Sequence, residues 1–359
     1  MVAKIILIAS DFHIGGATKH ILVLAKSLKR HNFNPVILSP SGWLIEEAKR
    51  SSFKSISCDF ESAFDFQSLW QLQRIIKQEK PDLIHSHGIR AGVIGYLANL
   101  FLNVPTIYSE HLYTDDYHLE SLWREKVQLW ALKSIAKRSS MVIAPSFAVR
   151  KFLIEKLNVP SSKVSVVYNG LENFKIISKE SKELKIGFIG SLNRQKGLEY
   201  LIKAMFRLTC RYPKLELEII GDGLLKNQLE NQAKELGDKI KFLGKNDSAK
   251  DYIGSWKMVV MPSISESFGL VALEAAIAKR PVVATRVGGL SEVVLDKKTG
   301  ILVQPKNPDS LVKAISYILD HPDIAKKMGQ AAYQRFEHKF TAKIMNDRMI
   351  KIYNEALNI

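Results

Sequence analysis

Short runs of aliphatic and β-branched residues alternate with amphipathic segments along this chain, and this alternation constrains the fold more than any other feature. In the first half, the candidate strands are residues 4–9, 35–39, 82–87, 105–110, 141–146 and 164–170. Amphipathic segments lie between them, for example at 18–31, 66–80 and 121–138. Strands that alternate with helices of this length are typical of a parallel sheet covered on both faces. The sequence therefore predicts an α/β fold.

A polar and charged segment at residues 172–184 interrupts the alternation and predicts a linker. After it the pattern restarts, with candidate strands at 184–190, 215–220, 239–244, 257–262, 280–285 and 300–305. A strand, a glycine-containing loop and a helix open both halves, which indicates two similar Rossmann-like domains. We expect these domains at 1–173 and 174–340. The remaining segment, 341–359, has the pattern of one more amphipathic helix with no evident place in the second sheet.

The composition excludes several classes of protein. A length of 359 residues suits two domains, and 46% hydrophobic residues with 25% charged residues are typical of a globular chain. The two cysteines, Cys58 and Cys210, lie far apart without CxxC spacing. We therefore expect neither a disulfide framework nor a zinc site, and we expect a cytoplasmic location. Apolar runs are too short for a membrane-spanning helix, which needs about 18 residues or more.

The formal net charge of +16 suggests an anionic partner. Nucleic acid is disfavoured, because no recognition-helix, zinc-finger or RNA-binding aromatic motif is present. A diffuse basic excess suits phosphate-bearing ligands or an anionic membrane face, while a merely soluble basic surface remains an alternative. The basic segment at 121–138 carries Leu122, Trp123, Leu129 and Trp130. These residues support peripheral membrane contact as a hypothesis, and packing against their own sheet is the alternative.

Glycine-containing loops follow several candidate strands, where ligands bind to open parallel sheets. Gly15 and Gly16 precede a helix but lack the GxGxxG dinucleotide pattern, so a nicotinamide enzyme is disfavoured. The segment GSLNRQKG at 190–197 places Arg194 and Lys196 just before a helix, which suits a diphosphate. It lacks the P-loop pattern, so magnesium-dependent hydrolysis of a nucleoside triphosphate is not expected. Gly221 opens a third turn of this kind, and simple tight or solvated turns remain alternatives for all three.

Histidines cluster at strand ends in the first half. His85 and His87 end one candidate strand, His111 follows another, and His13 lies in the first glycine loop. We expect at least one of them to contact a ligand, although a single histidine is usually only a polar residue with satisfied hydrogen bonds. Neither a GxSxG elbow nor HExxH spacing is present, so hydrolase and zinc-enzyme interpretations are weak.

Two glutamates flank the segment Phe268-Gly269-Leu270, whose backbone N–H groups would open a helix. Glu266 precedes the helix and has helix capping as an alternative role. Glu274 lies among apolar neighbours within the helix, so the sequence predicts a buried carboxylate that needs a partner. Carboxylates are good acceptors for sugar and ribose hydroxyls.

These motifs resemble, as an ordered set over essentially the whole chain, the retaining glycosyltransferases of family 4, also called glycosyl transferases group 1. The residues that carry the resemblance are GG at 15–16, HSHG at 85–88, SEH at 109–111, YNG at 168–170, GSLNRQKG at 190–197, IIGDG at 219–223, FLGK at 242–245, SESFGLVALEA at 265–275, VGGLSEVV at 287–294 and TGILVQP at 299–305. The resemblance implies the GT-B architecture, with two Rossmann-like domains whose parallel sheets face a central cleft. It also implies that helix 341–359 crosses back to the first domain.

The resemblance assigns donor-binding roles in the second domain. Glu274 would bind the ribose hydroxyls, Glu266 would hold the transferred sugar, and Lys196 would bind the phosphates. Ser191 occupies the position of a common family arginine, so Arg194 would supply the second cation. The backbone at Gly16, Gly190, Gly221, Phe268, Gly269 and Leu270 would complete the donor site.

The catalytic residues that the resemblance implies are His111, Glu266, Lys196 and Arg194, and the acceptor-side candidates are Gly15, His87 and His13. The implied reaction is metal-independent and cofactor-free transfer, with retention, from a UDP- or GDP-sugar to an acceptor hydroxyl. We expect a lipid-linked or cell-envelope glycan as acceptor, in polysaccharide or lipopolysaccharide biosynthesis. A nucleotide-sugar epimerase and a non-catalytic nucleotide-sugar binding protein are the alternatives.

Overall fold

The computed structural model describes residues 2–10, 16–59, 66–119, 121–174 and 183–358. The chain forms two compact units. The first comprises Met1–Tyr113, His118–Gly170 and Ala342–Ile359, and the second comprises Thr114–Tyr117 and Leu171–Thr341. Most of the predicted linker, residues 175–182, lies outside the described residues.

The first unit is built on a seven-stranded parallel sheet of order β3-β2-β1-β4-β5-β6-β7. Its strands are β1 (Lys4–Ala9), β2 (Asn34–Ser39), β3 (Lys54–Ser57), β4 (Leu83–His87), β5 (Thr106–Ser109), β6 (Met141–Ala144) and β7 (Val164–Val166). The central strand β1 is buried from Ile5 onward. A strand that is aliphatic throughout needs cover on both faces, which the helices supply.

Helices follow the strands of the first unit in turn. They are α1 (Gly16–Arg30), α2 (Trp43–Arg50), α3 (Phe66–Glu79), α4 (Ile89–Asn99), α5 (Leu122–Arg138) and α6 (Phe147–Glu155). Serine hydroxyls begin two of them, since Ser121 accepts from the backbone N–H of Arg124 and Ser146 from that of Val149. Such N-caps satisfy backbone donors that have no partner within the helix.

The second unit has a six-stranded parallel sheet of order β10-β9-β8-β11-β12-β13. Its strands are β8 (Leu184–Ile189), β9 (Leu215–Ile220), β10 (Ile240–Phe242), β11 (Met258–Met261), β12 (Val282–Thr285) and β13 (Gly300–Val303). Its helices are α7 (Leu198–Arg211), α8 (Lys226–Ala233), α9 (Ala249–Ile253), α10 (Leu270–Ile277), α11 (Leu290–Val293), α12 (Pro308–Asp320) and α13 (Pro322–Lys339). This order, with its reversal between β8 and β11, is that of a Rossmann fold, so the predicted α/β class is confirmed.

The last helix, α14 (Ala342–Leu357), packs on the first unit. Met345, Met349, Ile352 and Tyr353 enter the same buried cluster as Ile5, Leu7 and the inner face of α1. The hydroxyl of Tyr353 lies 2.5 Å from Nδ1 of His85 on β4. Among the described residues, this cluster contains no residue of the second sheet, so packing on the first unit explains the amphipathic pattern of the last segment.

One strand of the first sheet was missed by the sequence reasoning. β3 has the sequence KSIS, with a single aliphatic residue, and its two ends are exposed. It lies at the edge of the sheet beside β2, where only one side is paired. An edge strand needs no continuous apolar run, so the hydrophobic signal that marks the central strands is absent. Among the described residues, no helix is both long enough and apolar enough to cross a membrane.

Candidate functional site

Two groups of predicted site residues lie at the carboxyl ends of parallel strands, one in each unit. In the first unit, His87 is the last residue of β4 and His111 follows β5 closely. In the second unit, Gly190 follows β8, Gly221 follows β9 and Glu266 follows β11. The loops after parallel strands emerge at one edge of their sheet, which is why residues far apart in sequence meet there.

His85 is a structural residue of the first unit. Its side chain is fully buried, with Nδ1 facing the Tyr353 hydroxyl and Nε2 lying 2.8 Å from the Ser109 hydroxyl. Both ring nitrogens therefore have protein partners. Burial, chiefly, holds the pKa of His85 well below its usual value, so the ring is neutral.

His87 and His111 form a pair of imidazoles. Nδ1 of His87 lies 3.2 Å from Nε2 of His111, and Nε2 of His87 has no partner among the described residues. Burial lowers the pKa of His111 to about 4 and lowers that of His87 well below its usual value. Both rings are thus neutral near pH 7, and the bond between them uses one ring N–H and one ring lone pair.

His20 joins this pair, although the sequence reasoning missed it. It lies one turn into α1, and its ring centroid is 5.5 Å from that of His87 and 5.6 Å from that of His111. Neither ring nitrogen of His20 has a hydrogen-bond partner among the described residues. Burial, with a smaller contribution from His111, lowers the pKa of His20 to about 3. The only sequence signal was its position one turn after Gly16, in the helix that follows the first glycine loop.

The turn that carries His111 is fixed by the buried carboxylate of Glu110. One oxygen accepts from the backbone N–H groups of His111, Leu112 and Tyr113 at 3.0, 2.7 and 3.1 Å. The other accepts from the Tyr108 hydroxyl at 2.6 Å. Burial raises the pKa of Glu110, and these four hydrogen bonds oppose the rise. Glu110 lies within the SEH motif, but no role was predicted for it.

The remaining first-unit candidates belong to the loop after β1. Gly16 begins α1 and is exposed. His13 and Gly15 lie outside the described residues.

In the second unit, Lys196 and Glu266 form an ion pair. Nζ of Lys196 lies 2.5 Å from Oε2 of Glu266, although the two residues are 70 positions apart. The side chains are 27% and 12% exposed, so both remain accessible to a ligand. Lys196 ends a single 3₁₀ turn, Arg194–Lys196, which begins with the side chain of Asn193 accepting from the backbone N–H of Lys196. Arg194 opens this turn and is exposed.

Backbone hydrogen bonds hold Glu266 and the segment just before it. The N–H of Gly289 donates to the carbonyl oxygen of Glu266 at 2.9 Å, and that of Ile264 donates to the carbonyl oxygen of Gln195 at 2.7 Å. Gly288 has a φ of +40°, and a Cβ atom there would lie 2.1 Å from the same Glu266 oxygen. The two glycines of the VGG motif therefore let the chain lie against the backbone of Glu266.

Gly190 and Gly221 lie against each other. A Cβ atom on Gly221 would be 1.9 Å from the carbonyl oxygen of Gly190, and the N–H of Gly190 donates to Ile220 at 3.0 Å. The absence of a side chain at Gly221 is thus required by the packing of two loops, whether or not a ligand approaches.

The start of α10 offers backbone donors. Its N-cap is Gly269, with a φ of +103° and no side chain to accept the first N–H groups. The side chain of Phe268 is buried, with its ring 5.8 Å from that of Phe340, so only its backbone can face a ligand. Leu270 begins the helix and is partly exposed.

Glu274 is half-buried, and the expectation of a buried carboxylate is therefore wrong. Leu270 and Val271, which lie one turn earlier on the same side of α10, are also partly exposed. The neighbours Leu273 and Ala275 point to other sides and are buried. The apolar sequence neighbours of Glu274 therefore led to a wrong prediction of its burial, because Glu274 lies on the open side of the helix.

Within the described ranges, no three histidine, cysteine, aspartate or glutamate side chains are arranged to hold one metal ion.

Comparisons with known proteins cover nearly the whole chain. The family model described as Glycosyltransferase Family 4 matches residues 14–172, and that described as Glycosyl transferases group 1 matches residues 171–335. An uncharacterised glycosyltransferase of Methanocaldococcus jannaschii is 30% identical over 351 residues, which are 96% of this chain and 95% of the relative. The chain belongs to the group 1 glycosyltransferases of family 4.

Solved structures support the fold of this glycosyltransferase. HepE from Anabaena superposes with a TM-score of 0.86 at 20% identity, covering 98% of this chain and 99% of that one. Sucrose-phosphate synthase from Thermosynechococcus elongatus gives a TM-score of 0.84 at 21% identity, covering 98% of each chain. These likenesses confirm the predicted GT-B type of fold.

Acidification should destabilise the glycosyltransferase through His20. Its pKa is about 3 in the folded state and about 6.5 when unfolded, so between these values the unfolded state binds more protons. Stability should fall as the pH drops below 6.5 and stop responding to His20 below about 3. Replacing His20→Leu should make the pH dependence shallower by up to ~1.4 kcal/mol per pH unit in this window. Urea unfolding at a series of pH values measures this, and parallel curves for the two proteins would contradict it.

The contact between Gly288 and Glu266 can be tested with a matched glycine. Gly244 also has a positive φ, +70°, but a Cβ atom there meets nothing within 4 Å. Gly244→Ala should cost only the ~1–2 kcal/mol of an alanine at positive φ. Gly288→Ala should cost a further ~1–3 kcal/mol because its methyl group overlaps a backbone oxygen. Equal losses in urea unfolding would mean that the loop yields without strain.

Proposed function

We propose that this glycosyltransferase moves a hexosyl residue from a nucleotide-sugar to an acceptor hydroxyl, with retention of the anomeric configuration and with no metal ion or other cofactor. The observation that carries this proposal is the ion pair between Lys196 and Glu266 in the second unit. Glu266 lies just before α10. Such a pair suits the two parts of a nucleotide-sugar. The ammonium group can bind the diphosphate, and the carboxylate can accept hydrogen bonds from sugar hydroxyls.

The donor half of the proposal uses the second unit. Lys196 and Arg194 bind the diphosphate, and the backbone N–H groups at Phe268, Gly269 and Leu270 face anionic or hydroxyl oxygens. A helix N-terminus favours negative charge in this way. Glu266 accepts from hydroxyls of the transferred sugar. HepE from Anabaena has been solved in complex with UDP, with UDP and glucose, and with UDP-glucose, which favours a UDP-sugar over a GDP-sugar here.

Glu274 completes the donor half as the acceptor for the ribose hydroxyls. Its position on the partly exposed side of α10, rather than in the core, supports this role. Gly190 and Gly221 support the donor only through the loops that they hold together, and Gly16 is proposed to approach the donor from the first unit.

The transfer step needs stabilisation of the leaving group. The bond between the anomeric carbon and the diphosphate oxygen breaks, and its electron pair leaves with the nucleoside diphosphate. The acceptor oxygen forms the new bond on the same face, and its proton passes to the departing phosphate oxygen. Negative charge grows on the diphosphate in the transition state, so fixed cations and N–H groups there lower the barrier.

The acceptor half of the proposal uses the first unit. His111 is neutral near pH 7, so its ring can donate to or accept from a hydroxyl without adding a charge. His87 is bonded to it and orients its ring. His13 and Gly15 remain acceptor-side predictions from their position in the sequence.

For the acceptor we propose a lipid-linked or cell-envelope glycan, reached from the cytoplasm by peripheral contact with the membrane. The net charge of +16 supports this part, because a basic surface is attracted to anionic lipids. Polysaccharide and lipopolysaccharide biosynthesis are the processes that would use such an acceptor.

Removing either member of the ion pair should abolish most of the activity. Lys196→Ala removes a cation from the diphosphate, and Glu266→Gln keeps the shape while removing the charge. Each should slow the release of UDP from UDP-glucose, alone and with acceptor glycans, by ~100-fold or more. Lys196→Ala should also weaken UDP-glucose binding in calorimetry. Excess EDTA should leave the rate of the unmodified enzyme unchanged.

Lys241→Ala is the matched control for these substitutions. Lys241 forms an ion pair with Glu216 in the same unit, at 2.7 Å, but on β9 and β10 away from the candidate site. The Lys241→Ala variant should therefore retain donor binding and turnover. Near-normal turnover in Lys196→Ala would contradict the proposed site. Conversion of UDP-glucose to another UDP-hexose without acceptor would indicate an epimerase, and binding without turnover for any sugar or acceptor would indicate a binding protein.

A further inference from the structure

The outward face of α5 carries an apolar stripe that nothing in the described chain covers. Trp123, Val127 and Trp130 are spaced by four and three residues, so they lie along one side of the helix. Their exposed fractions are 71%, 39% and 70%, and Leu122 beside them is 76% exposed. The alternative that these tryptophans pack against their own sheet is therefore wrong.

The opposite face of α5 accounts for its packing. Leu132, Ile135 and Ala136 are buried toward the sheet. A helix that is apolar on both faces is expected to be covered on both. Two exposed indoles two turns apart, with Val127 between them, form a larger apolar surface than a scattered leucine does, and such patches mark sites of contact. Tryptophan, with an apolar ring and one N–H donor, suits the boundary between water and lipid.

The charges that α5 itself places beside the stripe are basic. Lys126, Lys133 and Lys137 follow one border of the stripe, and Arg124 lies on the other side of Trp123. The acid of this helix, Glu125, is turned away: its side chain is 14% exposed and is bound to His118 and to the N–H of Leu119. The outward face of α5 therefore combines apolar rings with positive charge and presents no carboxylate of its own.

We propose that the outward face of α5 docks this glycosyltransferase on an anionic lipid bilayer, with Trp123 and Trp130 in the headgroup region and the lysines over anionic headgroups. Basic amphipathic helices with tryptophan on the apolar side bind in the plane of a membrane surface in this way. A second copy of the chain is a less suitable partner for the outward face of α5. Face-to-face pairing of two α5 helices would bring a basic border of one against a basic border of the other, and like charges oppose that contact.

The inference deepens the proposed function and rests on it in one respect, since a lipid-linked acceptor is what makes membrane docking useful. The docking itself needs only the exposed surface of α5. Lipid binding and sugar transfer can therefore fail independently.

The test uses the full chain with phosphatidylcholine vesicles that contain increasing fractions of phosphatidylglycerol. In flotation assays the unmodified protein should bind more tightly as the anionic lipid increases and less tightly as salt increases. The double variant Trp123→Ser/Trp130→Ser should lose about tenfold or more in vesicle affinity. Lys126→Gln/Lys133→Gln/Lys137→Gln should lose a similar factor on anionic vesicles and should lose the salt dependence.

Trp70→Ser is the matched control, because Trp70 is a 63% exposed tryptophan on a different helix, α3. It should bind vesicles as the unmodified protein does. Release of UDP from UDP-glucose in solution should be the same for the double variant and for Trp70→Ser, which separates loss of docking from loss of folding or of transfer. Binding that ignores anionic lipid, or that persists in the double variant, would overturn the proposal. So would a dimer in light scattering that the double variant abolishes.

Discussion

Parallel pairing of the strands is the constraint on which the rest of this structure depends. Because every strand within a sheet points the same way, each strand-to-helix loop emerges at the same edge. His87 and His111 meet since β4 and β5 are neighbours, with His87 paired to Ser109 in register. Lys196 and Glu266 meet since β8 and β11 are neighbours, although 70 positions separate the two residues. In both units the chemistry follows from strand order.

The structure uses two glutamates at these edges in opposite ways. Glu110 is buried without a cation, and its charge is balanced by three backbone N–H groups and one phenol. All of its hydrogen-bonding capacity is used within its own turn, so it fixes geometry. Glu266 is partly exposed and is held by Lys196, while its backbone is fixed by the loop at Gly289. Its position is set by the backbone, so its carboxylate remains available to a ligand.

The fold was predictable because the central strands are aliphatic throughout and the helices between them are amphipathic. The exception, β3, lies at an edge where that signal is weak. The position of Lys196 at a strand end was predictable from the glycines beside it, and its role in binding a ligand stays a prediction. His20 was missed because its neighbours come from β4 and from the loop after β5, so no local pattern reveals it. Glu274 was misjudged because sequence neighbours on a helix point in different directions.

The strength of the Lys196–Glu266 ion pair determines how easily a donor diphosphate could displace the carboxylate from Lys196. The two side chains are 27% and 12% exposed, so water partly screens the pair, and its net stabilisation is on the order of 1 kcal/mol. A diphosphate carries more negative charge than one carboxylate and accepts several hydrogen bonds, so it can draw Lys196 away at little cost. The pairing then keeps the ammonium at the site while the donor is absent. In the proposed donor complex, the Glu266 carboxylate would then accept from a sugar hydroxyl once the diphosphate holds Lys196.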